Sequence, residues 1–227
     1  MESELDFLDN VVLGLRTLQR AVFVEQLASL KSRNSRNVKL QEVLTASPES
    51  GHSAPPAVED TKHYVLSLTA LSDFGYRIGN LKPVVRSPAF TEKVLKKGDF
   101  LVSRSNTAEL VGLVGIFSES RSDVSFPDTM MRLHLDEGAI DPDYLQLVML
   151  SPMGRQHMRR VCAGTSASMK KINRTGLGRF SFPCPPVATQ RNIVQEVIEL
   201  SPNLDAVERH RMSNRQLKRS LLQDLPS

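Results

Sequence analysis

Hydrophobic residues recur at three- and four-residue steps near the amino terminus of the chain. The residues with this spacing are Leu5, Leu8, Val12, Leu15, Leu18 and Val22. An α-helix turns once about every 3.6 residues, so the spacing predicts a helix with one apolar face from residue 5 to about residue 30. The basic connector KSRNSRN (31–37) follows, and then VKLQEVL, which predicts a short strand or turn.

The pattern changes to short extended runs between residues 62 and 135, after a stretch at 45–60 rich in Pro, Ser and Gly that predicts an exposed loop. The strand-length segments are HYVLSL, KPVVR, FLVSR, LVGLVGIF and MMRLHL. They are rich in Val, Leu and Phe and are separated by turn-forming residues, which is typical of β-strands. We expect an open or barrel-like β core.

Helices are predicted again after the strands. Asp141 with Pro142, and Ser151 with Pro152, each combine an N-cap residue with proline at the first helical position. Gly164 can end the second of these helices. The two glycines of GLVGIF lie inside a strand pattern, where they indicate close packing.

The last part of the chain, from Thr189 onward, has a coiled-coil-type stripe. Its residues are Ile193, Val197, Leu200, Leu204 and Val207, and Arg211, Asn214 and Lys218 continue the stripe as polar positions. Pro202 predicts a kink or a restart of the helix, with Ser201 as its cap.

These elements predict an α+β fold, in which a β-rich globule with a small helical cap is flanked by N- and C-terminal helices that form a coiled-coil-like spacer. The expected divisions are an N-terminal helix with its basic linker (1–36), the globule (37–188) and a C-terminal spacer helix (189–227).

Composition adds the expectation of a globular protein of the reduced cytoplasm. Of the 227 residues, 40% are hydrophobic and 24% charged, and no segment has the pattern of a secretion signal or a membrane span. Two cysteines, Cys162 and Cys184, are too few for a disulfide framework.

A search for catalytic residues gives a negative prediction. The five histidines are scattered, and none of them forms a pair at metal-ligand spacing. The chain lacks a G-x-S-x-G motif, a P-loop and a nuclease-type lysine after Pro127-Asp128. We therefore expect no catalysis, no metal and no cofactor.

A basic stretch is the strongest chemical signal. From Ser151 to Phe180 the chain has seven Lys or Arg residues and no Asp or Glu. Lysine and arginine neutralise phosphates, and small hydroxyls and exposed backbone N–H groups donate to phosphate oxygens, so the stretch favours a polyanionic partner. A solvated charged face remains the alternative, although such faces usually mix both signs.

The order of the motifs resembles the target-recognition domain of type I restriction-modification specificity subunits. The resemblance spans about residues 38 to 200. The segments that carry it are LKKGDFLVSRSNTAELVGLVGIF, DPDYLQLVMLSPMGRQHMRRVCAGTSASMKKINRTGLGRF and SFPCPPVATQRNIVQEV.

The resemblance implies a non-catalytic subunit that reads DNA in the major groove. Its readers would lie on the loop 104–107, around 76–86 and 118–128, and on the block 164–174. The expected DNA-binding residues are Arg77, Arg86, Arg104, Ser105, Asn106, Arg121, Thr165, Ser166, Ser168, Lys170, Lys171 and Arg174. Arg and Asn at loop tips suit guanine and adenine edges, and Thr165, Ser166, Lys170 and Lys171 suit backbone positioning.

The resemblance also implies partners: double-stranded DNA and a methyltransferase subunit, with or without a restriction subunit. Family members usually hold two recognition domains, whereas this chain holds one, which implies a homodimer or pairing with a separate partner half. The helix residues expected at that interface are Leu8, Val12, Leu15, Ile193, Val197, Leu204 and Val207. Thr189 replaces the usual Glu, and Pro202 interrupts the spacer helix.

Two other interpretations stay open at the level of sequence. One is a stand-alone DNA-binding or regulatory protein that assembles no methyltransferase. The other is a protein-interaction module whose basic face meets an acidic partner.

Overall fold

The computed structural model describes residues 2–32, 35–163 and 169–223. The helices are α1 (Glu2–Ser32), α2 (Pro88–Glu92), α3 (Pro142–Leu150), α4 (Pro152–Val161), α5 (Arg174–Gly178), α6 (Val187–Glu199) and α7 (Leu204–Gln223). The strands are β1 (Asn37–Lys39), β2 (Glu49–Ser50), β3 (Tyr64–Leu66), β4 (Leu71–Ser72), β5 (Gly75–Tyr76), β6 (Leu81–Pro83), β7 (Phe100–Ser103), β8 (Ser105–Asn106), β9 (Val114–Ile116), β10 (Val124–Ser125), β11 (Met130–Leu133), β12 (Lys170–Lys171) and β13 (Ser181–Pro183).

The chain divides into a helical unit, residues 1–29 with 192–227, and a globular unit, residues 30–191. The sequence placed the corresponding divisions after residues 36 and 188. The mixture of helices and short strands confirms the α+β prediction. Among the described residues, no helix combines the length and the apolar character that crossing a membrane requires.

In the helical unit, α1 lies antiparallel to α6 and α7. Arg16 of α1 forms an ion pair with Glu208 at 2.6 Å, and Gln26 donates to Glu196 at 2.8 Å. The buried apolar residues described in the unit are Leu5, Val12, Phe23 and Leu27 of α1 with Ile193, Val194, Val197 and Leu204 of α6 and α7. The two terminal segments therefore pair within one chain.

The predicted apolar stripe of α1 is wrong at one end. Leu18 is 48% exposed, whereas Phe23 and Leu27 are buried. Because each residue turns the helix by about 100°, Leu18 lies about 140° around the helix from Leu5. A stripe with mostly three-residue steps drifts off the buried face.

The break between α6 and α7 confirms the restart predicted at Pro202. The predicted cap is wrong, because the buried Ser201 hydroxyl has no hydrogen-bond partner among the described residues. The backbone carbonyl of Ser201 instead accepts from the N–H of Leu204 at 3.0 Å.

Small sheets build the globular unit. Four strands form the largest, in the order β2-β11-β7-β9, and three form the next, in the order β10-β3-β6. All the strand pairs are antiparallel except β10 with β3. Buried and exposed residues usually alternate along a strand, but all four residues of β7 are buried. This strand is therefore the centre of the core.

The helical cap begins as predicted. The Asp141 carboxylate accepts from the N–H of Tyr144 at 3.1 Å, and the Ser151 hydroxyl accepts from the N–H of Gly154 at 3.4 Å. The α4 helix ends at Val161, and Gly164, its predicted terminator, lies outside the described residues.

Both glycines of GLVGIF are required by packing. Gly112 has φ +76°, and a Cβ there would lie 2.5 Å from Cγ of Met158 in α4. A Cβ at Gly115 would lie 2.6 Å from the backbone nitrogen of Tyr76. The prediction of close packing at these glycines is confirmed.

A buried glutamine joins the proline-rich segment to the start of α3. The Gln190 carbonyl oxygen accepts from the N–H of Asp141 at 2.8 Å, and its amide nitrogen donates to Pro185 O at 2.7 Å and Ala139 O at 3.1 Å. Gln190 is fully buried, so these bonds replace the water that the amide loses.

Candidate nucleic-acid interface

Two separate blocks of the sequence meet in a short ribbon of β8 and β12. Lys170 pairs with Asn106 and Lys171 with Ser105 in antiparallel register. The N–H of Ile172 also donates to Arg104 O at 2.9 Å. The ribbon therefore places the predicted reading loop and the lysines of the basic stretch side by side.

Buried side chains next to the ribbon attach it to the core. Ile172, next to Lys171, is fully buried, as is Met158 of α4, and a Cβ at Gly112 would touch both side chains. Lys171 also exchanges two backbone hydrogen bonds of 2.9 Å with Ala163. These contacts fix the backbone on which the lysines stand.

Several of the predicted DNA-binding residues present their side chains to solvent near this ribbon. Lys171 and Arg174 are exposed, and Arg104 is half-buried. Arg174 is the first residue of α5, where Asn173 caps the helix by accepting from the N–H of Gly176 at 2.6 Å. Lys170 is half-buried in β12. Thr165, Ser166 and Ser168 lie outside the described residues.

Ser105 and Asn106 are not placed as readers. Ser105 is 4% exposed and Asn106 9%. The Asn106 side-chain oxygen accepts from the N–H of Thr107 at 2.9 Å, so this amide shapes the loop. The sequence predicts both as loop-tip side chains, but in the structure they pair with β12 and their side chains are buried.

Arg121 is also placed differently from the prediction. Its guanidinium donates twice to the Asp123 carboxylate at 2.6 Å, approaches Glu119 at 3.7 Å and stacks over the Tyr64 ring at 5.0 Å. The hydrogen bonds to Asp123 raise the pKa of Arg121. The two carboxylates beside it offset its charge locally. The predicted role of Arg121 in DNA binding stays a prediction.

Arg77 and Arg86 are exposed, on the segments that follow β5 and β6. The strands β5 and β6 belong to different sheets from the β8–β12 ribbon. The predicted role of the two arginines in DNA binding stays a prediction.

The three arginines of α4 have different surroundings. Arg155 is 6% exposed and donates to Glu109 O at 2.6 Å, which makes it part of the interior. Arg159 and Arg160 are exposed. Arg155 thus joins α4 to the β8–β9 loop.

The folded basic surface includes an acidic residue that the sequence stretch lacks. The backbone N–H of Glu109, the Thr107 hydroxyl and the charge of Arg159 lower the pKa of the exposed Glu109 side chain. A linear count of charges between 151 and 180 could not reveal this neighbour, since Glu109 reaches Arg159 through the fold.

Four of the predicted interface residues are buried within the chain itself: Val12, Ile193, Val197 and Leu204. Leu8, Leu15 and Val207 are half-buried. Helix α1 carries a second row with four- and three-residue spacing, formed by Phe7, Val11, Gly14 and Leu18. Phe7 is 64% and Leu18 48% exposed. The spacing was visible in the sequence, but the buried row masked it.

No group of His, Cys, Asp and Glu in the described part of the chain could hold a metal ion. Cys162 and Cys184 are free and half-buried, and burial raises the pKa of the Cys184 thiol. The Cys184 sulfur accepts from the Gln190 amide at 3.4 Å, which agrees with a structural role.

The chain is similar in sequence to specificity subunits of type I restriction enzymes. The chain is 30% identical over 117 residues to the type I restriction enzyme EcoKI specificity subunit of Escherichia coli (strain K12), covering 51% of this chain and 25% of that one. It is 30% identical over 147 residues to the StySPI specificity subunit of Salmonella potsdam, covering 64% of this chain and 32% of that one. No protein-family profile matches the chain.

A solved structure with a similar fold is the type I restriction-modification system S subunit from M. genitalium. The TM-score is 0.57 at 14% identity, over 99% of this chain and 59% of that one. The chain thus spans between a quarter and a third of the curated relatives and over half of the structural one.

Proposed function

Because the homologues of this chain are type I restriction enzyme specificity subunits, we propose that it is the DNA sequence-specificity subunit of a type I restriction-modification system. In this role it binds duplex DNA, reads a half-site and performs no catalysis. The β8–β12 ribbon carries the proposal, because it brings the loop after β7 together with the lysines of the basic stretch.

The residues near the ribbon divide into two roles. Lys171 and Arg174 neutralise phosphates and position the duplex, which carries no sequence information. Arg104 begins the reading loop, and its planar guanidinium suits the paired acceptors of guanine in the major groove. Its weak contact with Asp128 O, at 3.5 Å, leaves it able to turn toward a base.

The proposed partners are a second recognition unit and a methyltransferase subunit. A chain with one reader pairs with a second copy, or with a separate half-subunit, to read two half-sites. Two-fold pairing of identical chains gives an interrupted palindrome. Because chromosomal DNA is the proposed substrate, the proposed location of the assembly is the cytoplasm. A restriction subunit can join the assembly there.

The row of Phe7, Val11, Gly14 and Leu18, in which Val11 is half-buried and the other three are exposed, supports an assembled state. Large apolar side chains on an exposed helix face indicate an interaction surface, and a four- and three-residue spacing suits packing against another helix. The row lies on the face of α1 opposite the buried residues.

The test is to map methylated sites in a host genome that carries this chain with a type I methyltransferase subunit. We expect methylation at a two-part palindromic sequence that disappears when the chain is deleted. Methylation that does not depend on the chain would contradict the proposal.

Co-purification separates this proposal from a stand-alone DNA-binding regulator. A stable complex with the methyltransferase subunit is expected. A chain that binds specific DNA and forms no such complex would favour the regulator.

A further inference from the structure

A shallow hollow of about 360 Å³ opens between α4 and the corner where α5 leads into β13. Arg160 and Val161 of α4 line one side, and Arg179 and Ser181 line the other. Phe180, which is 1% exposed, lies at the floor of the hollow. The hollow lies within the globular unit.

The hollow is lined by hydrogen-bond donors and apolar groups, and none of its lining residues is acidic. Arg160 and Arg179 are exposed, and neither has a carboxylate partner among the described residues. Gln156 adds an amide group, which also donates. Two guanidinium groups without a carboxylate partner in the described part of the chain, beside neutral donors, favour an anionic ligand.

A buried histidine orients one of the two guanidinium groups. His157 is 7% exposed, and its Nε2 lies 2.9 Å from Gly176 O, which can only accept, so Nε2 donates. Nη2 of Arg160 lies 3.4 Å from Nδ1 of the same ring, and a guanidinium N–H can only donate in this contact. The remaining donors of Arg160 stay available to a ligand.

The hollow is separate from the surface beside the β8–β12 ribbon. Successive residues of a helix differ by about 100°, so Arg160 points to a different side of α4 from Arg159. The charge of Arg159 acts on Glu109 in the β8–β9 loop. Arg160 faces α5 and β13 instead.

We infer that the hollow holds one sugar–phosphate unit of the DNA backbone, as an anchoring point additional to the ribbon. This inference rests on the proposed function. Arg160 and Arg179 donate to the oxygens of a single phosphate, and Phe180 and Val161 contact the carbon atoms of the sugar. A site for a small organic group usually has an apolar floor and a few convergent hydrogen-bond donors.

Such a contact positions the duplex and reads no base. Its removal therefore weakens binding to every sequence by the same factor. Because both arginines hold the same phosphate, their effects overlap instead of adding.

The experiment measures duplex affinity against salt concentration for the full chain, assembled with its methyltransferase subunit. The variants are Arg160→Ala, Arg179→Ala and the double variant. The matched control, Lys96→Ala with Lys97→Ala, removes two exposed positive charges from the turn before β7. Thermal melting checks that all variants fold. We expect them to fold, because the replaced side chains are exposed.

We expect each single variant to bind every duplex roughly 10-fold more weakly. The slope of log affinity against log salt should fall by about 0.9, which corresponds to one phosphate. The double variant should lose little more than either single one, and the lysine control should keep the wild-type slope.

Wild-type affinity and slope in the double variant would overturn the inference while leaving the proposed function intact. If that variant bound DNA normally but lost a protein subunit, the hollow would be a site for an acidic segment of that subunit, and the inference would also be wrong. Absence of DNA binding by the wild-type assembly would count against the proposed function itself.

Discussion

Arg155, Arg159 and Arg160 show how neighbouring residues of one type acquire different roles. Arg155 is buried against a backbone carbonyl, Arg159 lies near Glu109, and Arg160 lines a hollow. The sequence gives all three the same charge. Their roles depend on the direction of each side chain around α4 and on what the fold places there.

Lys171 tests the positioning role at the level of one residue. We expect Lys171→Ala to weaken binding to all duplexes by a similar factor and to lower the salt slope by up to about 0.9, since one phosphate contact is lost. Fluorescence anisotropy with specific and unrelated duplexes measures this. A loss confined to the specific duplex would contradict the assignment.

Arg104 tests the reading role. We expect Arg104→Ala to relax the preference at one base pair of the half-site, at a cost of about 1–3 kcal/mol on the specific sequence if its contact is bidentate. Competition between duplexes that differ at single positions measures the change. Equal losses on all sequences would assign Arg104 to the phosphate backbone.

Glu49 tests the ion-pair network that joins strands β2 and β11 of the four-stranded sheet. It binds Lys93 at 2.6 Å and Arg132 at 2.7 Å, and Arg132 also binds Asp99 at 2.8 Å. Burial alone would raise the pKa of Glu49, but the hydrogen bonds from Lys93 and Arg132 outweigh it and lower the pKa to about 2.

A lowered folded-state pKa gives stability that is present above the unfolded value of 4.5 and is lost as the pH falls toward 2. We expect Glu49→Gln to lower the free energy of unfolding at neutral pH by about 2 kcal/mol, a figure reduced for partial exposure. The variant should also lose less stability than the wild type between pH 4.5 and 2. Urea unfolding across that range measures both effects, and parallel pH profiles would contradict the account.

At the level of elements, the β8–β12 ribbon depends on close contact between α4 and the β8–β9 loop. Gly112 permits that contact through its positive φ and its missing Cβ. We expect Gly112→Ala to destabilise the protein by about 2–4 kcal/mol, because backbone strain and a clash with Met158 add.

Gly79 provides the matched control, since it has the same φ of +76° and open space around its Cβ position. Gly79→Ala should cost only the strain, about 1–2 kcal/mol. Equal losses in the two variants, measured by chemical denaturation, would show that the clash with Met158 is not felt.

The exposed row of α1 has a different consequence from the buried one. We expect Phe7→Ser with Leu18→Ser to weaken assembly while changing the stability of the chain by less than about 0.5 kcal/mol. Leu27→Ala, at a position 5% exposed, should instead destabilise the fold by about 2–5 kcal/mol. Sedimentation velocity with melting curves separates the two effects, and unchanged assembly of the double variant would remove the row from the interface.

At the level of the whole molecule, local patterns predicted the elements and non-local contacts decided the site. Caps at Asp141 and Ser151 and the helix restart at Pro202 were readable, because each depends on neighbours in the chain. The glycines at 112 and 115 indicated close packing, although the sequence could not name their distant partners. These features follow from backbone hydrogen bonding and from the absence of a Cβ atom.

The candidate site was only partly readable. The sequence identified the loop after β7 and the lysines of β12, but it could not show that strand pairing buries Ser105 and Asn106. It also could not show that the Arg121 guanidinium, paired with Asp123, stacks over the distant Tyr64 ring. Burial and charge pairing depend on distances between segments, which composition and spacing do not contain.

The central claim is that this chain lays an exposed positive surface along duplex DNA, and the salt dependence of binding tests it most directly. For the full chain with its methyltransferase subunit, the account predicts that log affinity falls linearly with log salt, by about 0.9 for each phosphate contacted, with a preferred sequence bound above all others. An affinity that is independent of salt, or no binding to duplex DNA at low ionic strength, would contradict it.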